Sequence, residues 1–291
     1  MKNPVETSYG LNSFPADKKR VKFFTPSDDL KNFVKYYWLV EVEDTTKSDS
    51  IAKISPSGYP EIIFHFGDSV SIHTSECHLR GETTHAIVAG QITQPVYINL
   101  NKDLNCLCVK LQPYALSSLF RINSLEFTNR AISLNEISSA IIPKQIYDEL
   151  SETIDDSLKI AIIENHLRKL LNRNDNFFCP VTSFVIECFR NNSLKINELS
   201  QALKISSRSL ERKIKENVGV SPKMLYRIIR FNKTYNLIKY NREINLQEIT
   251  FLLGYFDLSH MIKEFKEFTG SSPLCYLKKE NPYNSHFAGI L

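Results

Sequence analysis

Hydrophobic and polar positions follow two different periods along this 291-residue chain. Between about residues 33 and 112, short runs rich in aromatic and β-branched side chains are separated by Gly, Pro, Asn and Asp. Such runs predict β-strands, and several of them without intervening helices predict a small barrel or sandwich. The runs occupy residues 34–42, 61–66, 86–90, 96–100 and 106–111.

After Pro113 the apolar spacing becomes helical, most clearly over residues 157–171. There the apolar residues are spaced i, i+3, i+7, i+10 and i+11, at Ile160, Ile163, Leu167, Leu170 and Leu171. One apolar stripe on a polar helix has to pack against something. Two alternatives stay open: the core of its own domain, or a second subunit across a dimer seam.

Residues 172–176 carry no apolar side chain and are predicted to be a linker. Beyond them nearly everything is predicted to be helical. The predicted helices cover residues 181–189, 196–203, 206–217, a long stretch from 222, residues 246–253 and 257–268, and a last helix from about 273. Ser206 and Asp257 are suitable N-caps, Gly219 is a helix-stop residue, and Pro222 suits a first helical turn.

A short block recurs within this helical part. The block KENVGVSP at residues 215–222 reappears as KEFTGSSP at residues 266–273, with five of eight residues identical at an offset of 51. Upstream, the pairs Leu199/Ile249 and Ala202/Leu252 match at an offset of 50. One structural unit therefore occurs twice, with a one-residue difference in its turn.

The first copy has the pattern of a helix-turn-helix. Leu199, Ala202 and Leu203 are predicted to form the buried side of a short helix, and Leu210 and Ile214 are predicted to face them from the next helix. A small residue such as Ala202 would let the two helices cross closely. The second helix then exposes a polar face that a DNA major groove can admit, formed by Ser207, Arg208, Glu211, Arg212 and Lys215.

The second copy follows the same rules. Its predicted buried residues are Ile249, Leu252, Leu253, Met261 and Phe265, and Gly254 permits the backbone angle of the turn. Left on the groove side are Leu258, Ser259, Ile262 and Lys263. This face is more apolar than the first one, which suits thymine methyl groups or DNA shape rather than guanine edges.

Charge supports a polyanionic partner for the C-terminal part. The chain has a net charge of +4, but residues 176–291 hold 17 Lys and Arg against 10 Asp and Glu, whereas residues 1–175 hold 19 against 22. The six cysteines are scattered without a C-x-x-C pair, which predicts reduced thiols in the cytoplasm. No apolar run of about 18 residues and no signal-peptide segment is found, so no membrane partner is predicted.

On these motifs the chain resembles the AraC-type (AraC/XylS) bacterial transcriptional regulators, most strongly over residues 180–280. The resemblance is carried by Ser206, Leu210, Arg212, Ile214, Lys215, Gly219, Ser221, Pro222, Tyr226, Arg230, Ile249, Gly254, Tyr255, Asp257, Ser259, Phe265, Lys266, Gly270, Ser272, Pro273 and Tyr276. Tyr255 and Met261 are mild variants of the family pattern. The resemblance implies two recognition helices in successive major grooves, roughly 34 Å apart on one face of DNA.

The resemblance also implies roles for individual residues. Base contacts are implied for Arg208, Glu211, Arg212, Ser259, Ile262 and Lys263. Phosphate contacts are implied for Ser207, Lys215 and Lys266. The alternative for each residue is a solvated side chain that touches phosphate or nothing.

The N-terminal part resembles a truncated cupin-like sensor domain found in some regulators of this family. The resemblance is carried by the PSGYPEIIF run at residues 56–64, the aromatics at 36–38, and residues 90–91 and 112–113; Ser57 stands where relatives often have Asp. The aromatics around Trp38 either line an apolar pocket or fill the barrel. Four histidines (65, 73, 78 and 85) raise a cupin-type metal enzyme as the alternative function, but their spacing matches no metal motif.

Together these observations predict an α+β chain with five segments. They are a weakly ordered segment (1–20), a cupin-like sensor or dimerisation domain with trailing helices (21–172), a linker (173–179), a double helix-turn-helix domain (180–280) and a tail (281–291). The predicted function is a sequence-specific transcriptional regulator; activation and repression both stay open, because they depend on where the site lies relative to the promoter. Its expected partners are double-stranded DNA, an effector or protein partner at the N-terminal domain, RNA polymerase and a second copy in a homodimer. No catalytic residue, cofactor or metal site is predicted, and no ligand can be named.

Overall fold

A computed structural model describes residues 19–42, 51–67, 71–73, 85–99, 104–137, 144–171, 180–190, 196–241 and 245–278. Within these residues the N-terminal part contains nine strands, namely β1 (Lys19–Phe24), β2 (Val34–Val42), β3 (Ile51–Ile54), β4 (Glu61–His65), β5 (Ser71–His73), β6 (Ala86–Ala89), β7 (Val96–Asn99), β8 (Leu104–Leu111) and β9 (Ala131–Ser133). Within the described residues they form two antiparallel sheets, ordered β1-β2-β8-β4-β6-β9 and β3-β7-β5. This β-rich half confirms the predicted fold class.

Both faces of the six-stranded sheet are buried, and strand β2 contributes apolar side chains to each of them. Tyr36, Trp38 and Val40 point to one face, where Cys106 and Cys108 of β8 join them. Tyr37 and Leu39 point to the other face. Successive side chains of a strand face opposite sides, so a strand that is apolar throughout belongs between two covered faces. A bulge in the β2–β8 register near its start brings Val34 onto the same face as Tyr37.

Helices cover the Tyr37 face of the sheet. They are α1 (Ala115–Phe120), α2 (Lys144–Glu152) and α3 (Asp156–Leu171), with short 3-10 turns at Ser124–Phe127 and Leu134–Glu136. The apolar stripe of α3 lies in this core, since Ile160, Ile163, Leu167 and Leu170 are all buried there. Packing within the domain therefore decides between the two alternatives for this stripe, and the stripe supplies no dimer seam.

All five predicted strand regions are confirmed, and β1, β3, β5 and β9 were not predicted. Strand β1 begins at Lys19, within the N-terminal segment that was expected to be weakly ordered. These missed strands are short or polar, so they lack the apolar runs that identify a strand in sequence. The predicted linker (173–179) and tail (281–291) lie outside the described residues, as do residues 1–18.

The C-terminal part contains seven helices in its described residues. They are α4 (Pro180–Arg190), α5 (Ile196–Ala202), α6 (Ser207–Val218), α7 (Pro222–Tyr240), α8 (Leu246–Leu252), α9 (Leu258–Thr269) and α10 (Pro273–Lys278). Each corresponds to a predicted helix within one or two residues. No helix in the described part of the chain is both long and apolar enough to cross a membrane.

Candidate nucleic-acid interface

The two copies of the repeat have the same backbone. In the first copy, the turn after α5 places Lys204 at φ +54°, and the Ile205 N–H donates to the Ser200 carbonyl at 3.0 Å. In the second copy, the turn after α8 places Gly254 at φ +67°, and the Tyr255 N–H donates to the Thr250 carbonyl at 3.0 Å. The offset of 50 therefore holds through the turn.

From the next cap onward the offset becomes 51. Ser206 accepts a hydrogen bond from the Ser209 N–H, and Asp257 accepts one from the His260 N–H. The closing glycines, Gly219 and Gly270, both have left-handed backbone angles, at φ +90° and +73°. The extra residue of the second copy is therefore Phe256, between the turn and the cap.

Burial confirms most of the predicted helix-turn-helix core. Leu210 and Ile214 are fully buried, with Leu199 and Leu203 packed against their cluster. In the second unit Met261 and Phe265 are buried in the equivalent positions, although Phe265 packs in a separate cluster with Phe231 and Phe268.

The prediction of burial is wrong for two residues of this core. Ala202 is exposed, and its counterpart Leu252 is half exposed. Ser200 and Thr250 are buried instead. At about 100° per residue, Leu199, Ser200 and Leu203 share one face of the short helix, and Ala202 lies about a third of a turn from its centre. The close approach of the two helices therefore does not depend on Ala202.

The charged residues predicted to read DNA in the first unit do lie together on the outer face of α6. Arg208, Glu211, Arg212 and Lys215 are all exposed at helical spacing. Ser207 is different: its hydroxyl is half-buried, donates to the Asn197 side-chain oxygen at 3.0 Å and lies 3.0 Å from the Ser200 hydroxyl. Ser207 thus ties α6 to α5.

On α9 the predicted residues also share one face. Ser259, Lys263 and Lys266 are exposed, and Ile262 is half-buried at the edge of the cluster formed with Met261. A recognition face of this kind needs a firm support, because the opposite side of the helix sets its position.

That support is an ion-pair network that joins α9 to the long helix α7. The Glu264 carboxylate is buried and accepts from Arg230 Nε at 3.0 Å, from Arg230 Nη2 at 2.7 Å and from Arg227 Nε at 2.9 Å. Arg227 also donates to the exposed carboxylate of Glu267 at 2.6 Å. Burial opposes the charge of Arg230, but the hydrogen bonds and charge of Glu264 outweigh it and raise its pKa above the ordinary value.

Tyr255 completes the support of the second unit. The Arg230 guanidinium lies 4.0 Å from the centre of the Tyr255 ring, and the Tyr255 hydroxyl lies 2.9 Å from the buried Thr234 hydroxyl. Sequence reasoning missed Glu264 altogether. The available signal was a pair of arginines three apart on α7 and a pair of glutamates three apart on α9.

The N-terminal domain forms hydrogen bonds with the C-terminal end of the first recognition helix, α6. Ser124 Oγ donates to the Asn217 carbonyl at 2.8 Å, Ser117 Oγ donates to the Asn217 side-chain oxygen at 3.0 Å, and Thr128 Oγ1 donates to the Gly219 carbonyl. These contacts hold the last turn of α6, which lies away from the exposed residues at its start.

A second contact joins the turn at residues 56–58 to the middle of α7. The buried Asn232 amide donates to the Pro56 carbonyl at 3.0 Å and to the Ile228 carbonyl of its own helix at 2.7 Å. A Cβ on Gly58, which has φ +82°, would lie 3.5 Å from Ile228 Cγ2 of α7. Gln91 fixes the same turn from within the N-terminal domain, since its amide donates to the Gly58 carbonyl at 2.8 Å.

Inside the N-terminal domain the aromatics fill the core. Trp38 is buried and stacks on Phe23, with the two ring centres 6.5 Å apart. Phe23 contacts Tyr36 edge-on, with ring centres 5.5 Å apart. On the same sheet Lys110 Nζ lies 2.6 Å from the Glu61 carboxylate. Burial alone would lower the pKa of Lys110, but the Glu61 charge outweighs it and raises that pKa.

The histidines that suggested a metal enzyme do not form a cluster in the described part of the chain. His65 is buried with its Nδ1 3.0 Å from Cys106 Sγ, and His85 stacks on Tyr147 at 4.4 Å. The side chain of His73 and all of His78 lie outside the described residues. Among the described residues, no group of three or more His, Cys, Asp or Glu is placed to hold a metal ion.

Two helix-turn-helix units of the same backbone geometry are joined by the long helix α7, and each has an exposed recognition face. This arrangement is that of a DNA-binding transcriptional regulator. Residues 199–279 match the family described as a helix-turn-helix domain, and residues 22–133 match a domain of unknown function (DUF6597). The match supports the resemblance to AraC-type regulators that the sequence predicts for this part of the chain. No curated protein sequence matches the chain.

Solved structures to which the chain is similar include those of two bacterial proteins. The C-terminal domain of AraT, a response regulator from Geobacillus stearothermophilus, is 24% identical and covers 36% of this chain and 89% of its own, with a TM-score of 0.33. ToxT from Vibrio cholerae is 13% identical and covers 90% of this chain and 98% of its own, with a TM-score of 0.46. A structure of ToxT with an unsaturated fatty acid bound is 14% identical, covers 90% and 95%, and has a TM-score of 0.45.

Proposed function

We propose that this regulator reads two successive major grooves, with α6 in one groove and α9 in the next. The observation that carries this proposal is the repeated unit: α5–α6 and α8–α9 have the same turn hydrogen bond, the same capping pattern and exposed faces of net positive charge. A recognition helix presents the residues near its N-terminus to base edges, and both N-termini are exposed.

Within α6, Arg208 and Arg212 are the side chains suited to guanine, because a guanidinium can donate two hydrogen bonds to one guanine edge. Glu211 between them suits the amino group of cytosine. Within α9, Ser259, Ile262 and Lys263 are the corresponding base-reading residues. Lys215 and Lys266, each one turn further along, suit phosphates, which position the protein without specifying sequence.

Selection of bound fragments from random DNA by the purified full-length protein tests this proposal. Wild type should enrich one motif of about 15–20 base pairs, the span of two grooves. Arg212→Ala should relax preference at one base position, at a cost of about 1–3 kcal/mol for the preferred base.

Lys213→Ala is the matched control, since it removes the same charge from the neighbouring half-buried residue of the same helix. It should weaken binding evenly across sequences. Equal base preferences in Arg212→Ala and wild type would refute the role of Arg212. If Lys215 contacts a phosphate, the slope of log K against the logarithm of salt concentration should be shallower by about one unit in Lys215→Ala.

The same proposal assigns control of DNA binding to the N-terminal domain. The support is that this domain contacts two helices of the DNA-binding part. Ser124 and Thr128 bond the last turn of α6, and the turn at residues 56–58 contacts the centre of α7. An effector or protein partner that shifts either contact would change the orientation of α6 relative to α9. Binding at one site would then alter affinity at the other.

Two equivalent glycines provide a matched test of this coupling. A Cβ on Gly219 would lie 2.8 Å from the Ser124 carbonyl oxygen and 3.1 Å from Thr128 Oγ1, so the domains would have to separate there. A Cβ on Gly270 would meet the Lys53 ammonium at 2.8 Å, which can swing aside. Both substitutions by Ala share the cost of a left-handed residue, about 1 kcal/mol.

Gly219→Ala should therefore raise hydrogen exchange in α1 and residues 124–128 and change DNA affinity by about fivefold or more, the range of typical coupling energies. Gly270→Ala should leave both unchanged apart from a small loss of stability. The coupling is wrong if the two variants behave alike.

Further partners belong to the same proposal. The regulator acts on DNA in the cytoplasm, contacts RNA polymerase if it activates, and takes a small-molecule effector or a protein at its N-terminal domain. A homodimer would bring two copies to one operator. Since the α3 stripe is buried within the domain, sedimentation of the full chain at several concentrations, alone and on operator DNA, is the measurement that decides the dimer.

A further inference from the structure

The two recognition faces differ in chemistry more than their shared backbone requires. The outer face of α6 is formed by charged residues, with Arg208, Glu211 and Arg212 in its first turns. Just before the N-cap of α9, Phe256 is exposed to 91% of its maximal accessibility. Phe256 is also the inserted residue that separates the two copies of the repeat, so the first unit has no counterpart to it.

The surrounding contacts fix Phe256 on the outside. On one side of it, Tyr255 is buried, with its ring under Arg230 and its hydroxyl against Thr234. On the other side, the Asp257 carboxylate accepts from the His260 N–H at 2.6 Å and starts α9. A residue held between a buried anchor and a helix cap cannot turn inward without breaking one of them.

An exposed aromatic ring next to the N-cap of a recognition helix is placed to contact an apolar group on bound DNA. Phenylalanine has no hydrogen-bonding group, and the apolar group that a base pair displays in the major groove is the 5-methyl of thymine. On α9 itself Ile262 adds half-exposed apolar surface, and Lys266 carries positive charge that suits phosphates.

Resting on the proposed function, we infer that Phe256 reads the methyl group of thymine, so that the half-site under α9 is specified by thymine methyls. The half-site under α6 is specified by hydrogen bonds from arginine. The two half-sites are then chemically different, and the chain binds its operator in one orientation.

Replacing thymine by deoxyuridine tests this inference, because the change removes the methyl group and keeps every hydrogen-bonding group of the base pair. The duplex is the motif selected by wild type, and the half-site under α6 is the one that Arg212→Ala degrades. In the other half-site each thymine is replaced in turn. At one or two positions the affinity of wild type should fall about fourfold, the equivalent of burying one methyl group.

Phe256→Ala should bind the thymine and deoxyuridine duplexes equally. Phe251→Ala is the matched control, since Phe251 is 90% exposed but lies on α8 rather than next to the N-cap of α9, and it should keep the discrimination of wild type. The inference is overturned if no deoxyuridine position weakens wild type, or if Phe256→Ala still discriminates. A wild type that selects no motif would remove the proposed function and this inference with it.

Discussion

The buried carboxylate of Glu264 should be the single side chain on which the position of the second recognition helix depends most. Its side chain is 1% exposed and accepts hydrogen bonds from both Arg227 and Arg230 of α7. Glu264→Gln keeps the shape and one carbonyl oxygen but removes the negative charge. The Arg230 guanidinium, which is 10% exposed, would then lose the carboxylate that it bonds, whereas Arg227 would keep that of Glu267.

The magnitude follows from this burial. Removing one partner of a buried ion pair costs about 3–5 kcal/mol, because the remaining charge stays desolvated. The oxygen kept by glutamine places the expected loss near the lower end, at about 3 kcal/mol. Glu267→Gln is the matched control: it removes the same charge from the same helix and from the same partner Arg227, but Glu267 is 45% exposed. Exposed pairs contribute about 0–1 kcal/mol.

Urea denaturation followed by circular dichroism measures the loss, and hydrogen exchange of α9 locates it. Glu264→Gln should also degrade selection in the half-site under α9 while that under α6 persists. If the two variants differ in unfolding free energy by less than about 1 kcal/mol, the ion-pair network is not what holds α9.

Two further predictions concern the buried titratable groups. Burial lowers the pKa of the His65 ring from 6.5 to about 4 in the folded state, so the unfolded chain binds the additional proton first and stability falls as pH drops from 6.5 towards 4. The loss of unfolding free energy should reach about 2 kcal/mol at pH 5. His65→Gln should abolish this dependence of stability on pH, as measured by urea titrations followed by the fluorescence of Trp38, the single tryptophan. An unchanged pH dependence in His65→Gln would contradict the assignment. Burial also raises the pKa of the Cys188 thiol to about 12, so iodoacetamide should modify the half-exposed Cys275 well before Cys188, as peptide mass spectrometry would show; equal rates would mean that the cluster around Cys188 opens readily.

The features that sequence predicted correctly are those with local causes. Ser206 and Asp257 cap their helices through bonds to a residue three positions away, and Gly219 and Gly270 stop them through their own backbone angle. The repeat made these signals visible twice. The same local reasoning failed at Ala202, because which side of a seven-residue helix faces inward is decided by its neighbours, and both sides carried small or apolar residues.

What sequence left open depends on residues that are far apart in the chain. The stripe on α3 fits a domain core and a dimer seam equally well until the sheet beneath it is known. Arg230 finds its carboxylate 34 residues away, and Asn232 of α7 finds its carbonyl partner in the N-terminal domain 176 residues away.

The sequence by itself determined that this chain contains a doubled helix-turn-helix on a basic C-terminal part, because helix periodicity, caps and turn glycines act within a few residues of one another. Only the tertiary structure decided how the two units are supported and controlled. It placed Glu264 between two arginines, brought the N-terminal domain against the last turn of α6, and turned Phe256 outward beside the buried Tyr255. Those arrangements follow from burial and charge pairing between distant segments, which exist only once the chain has folded.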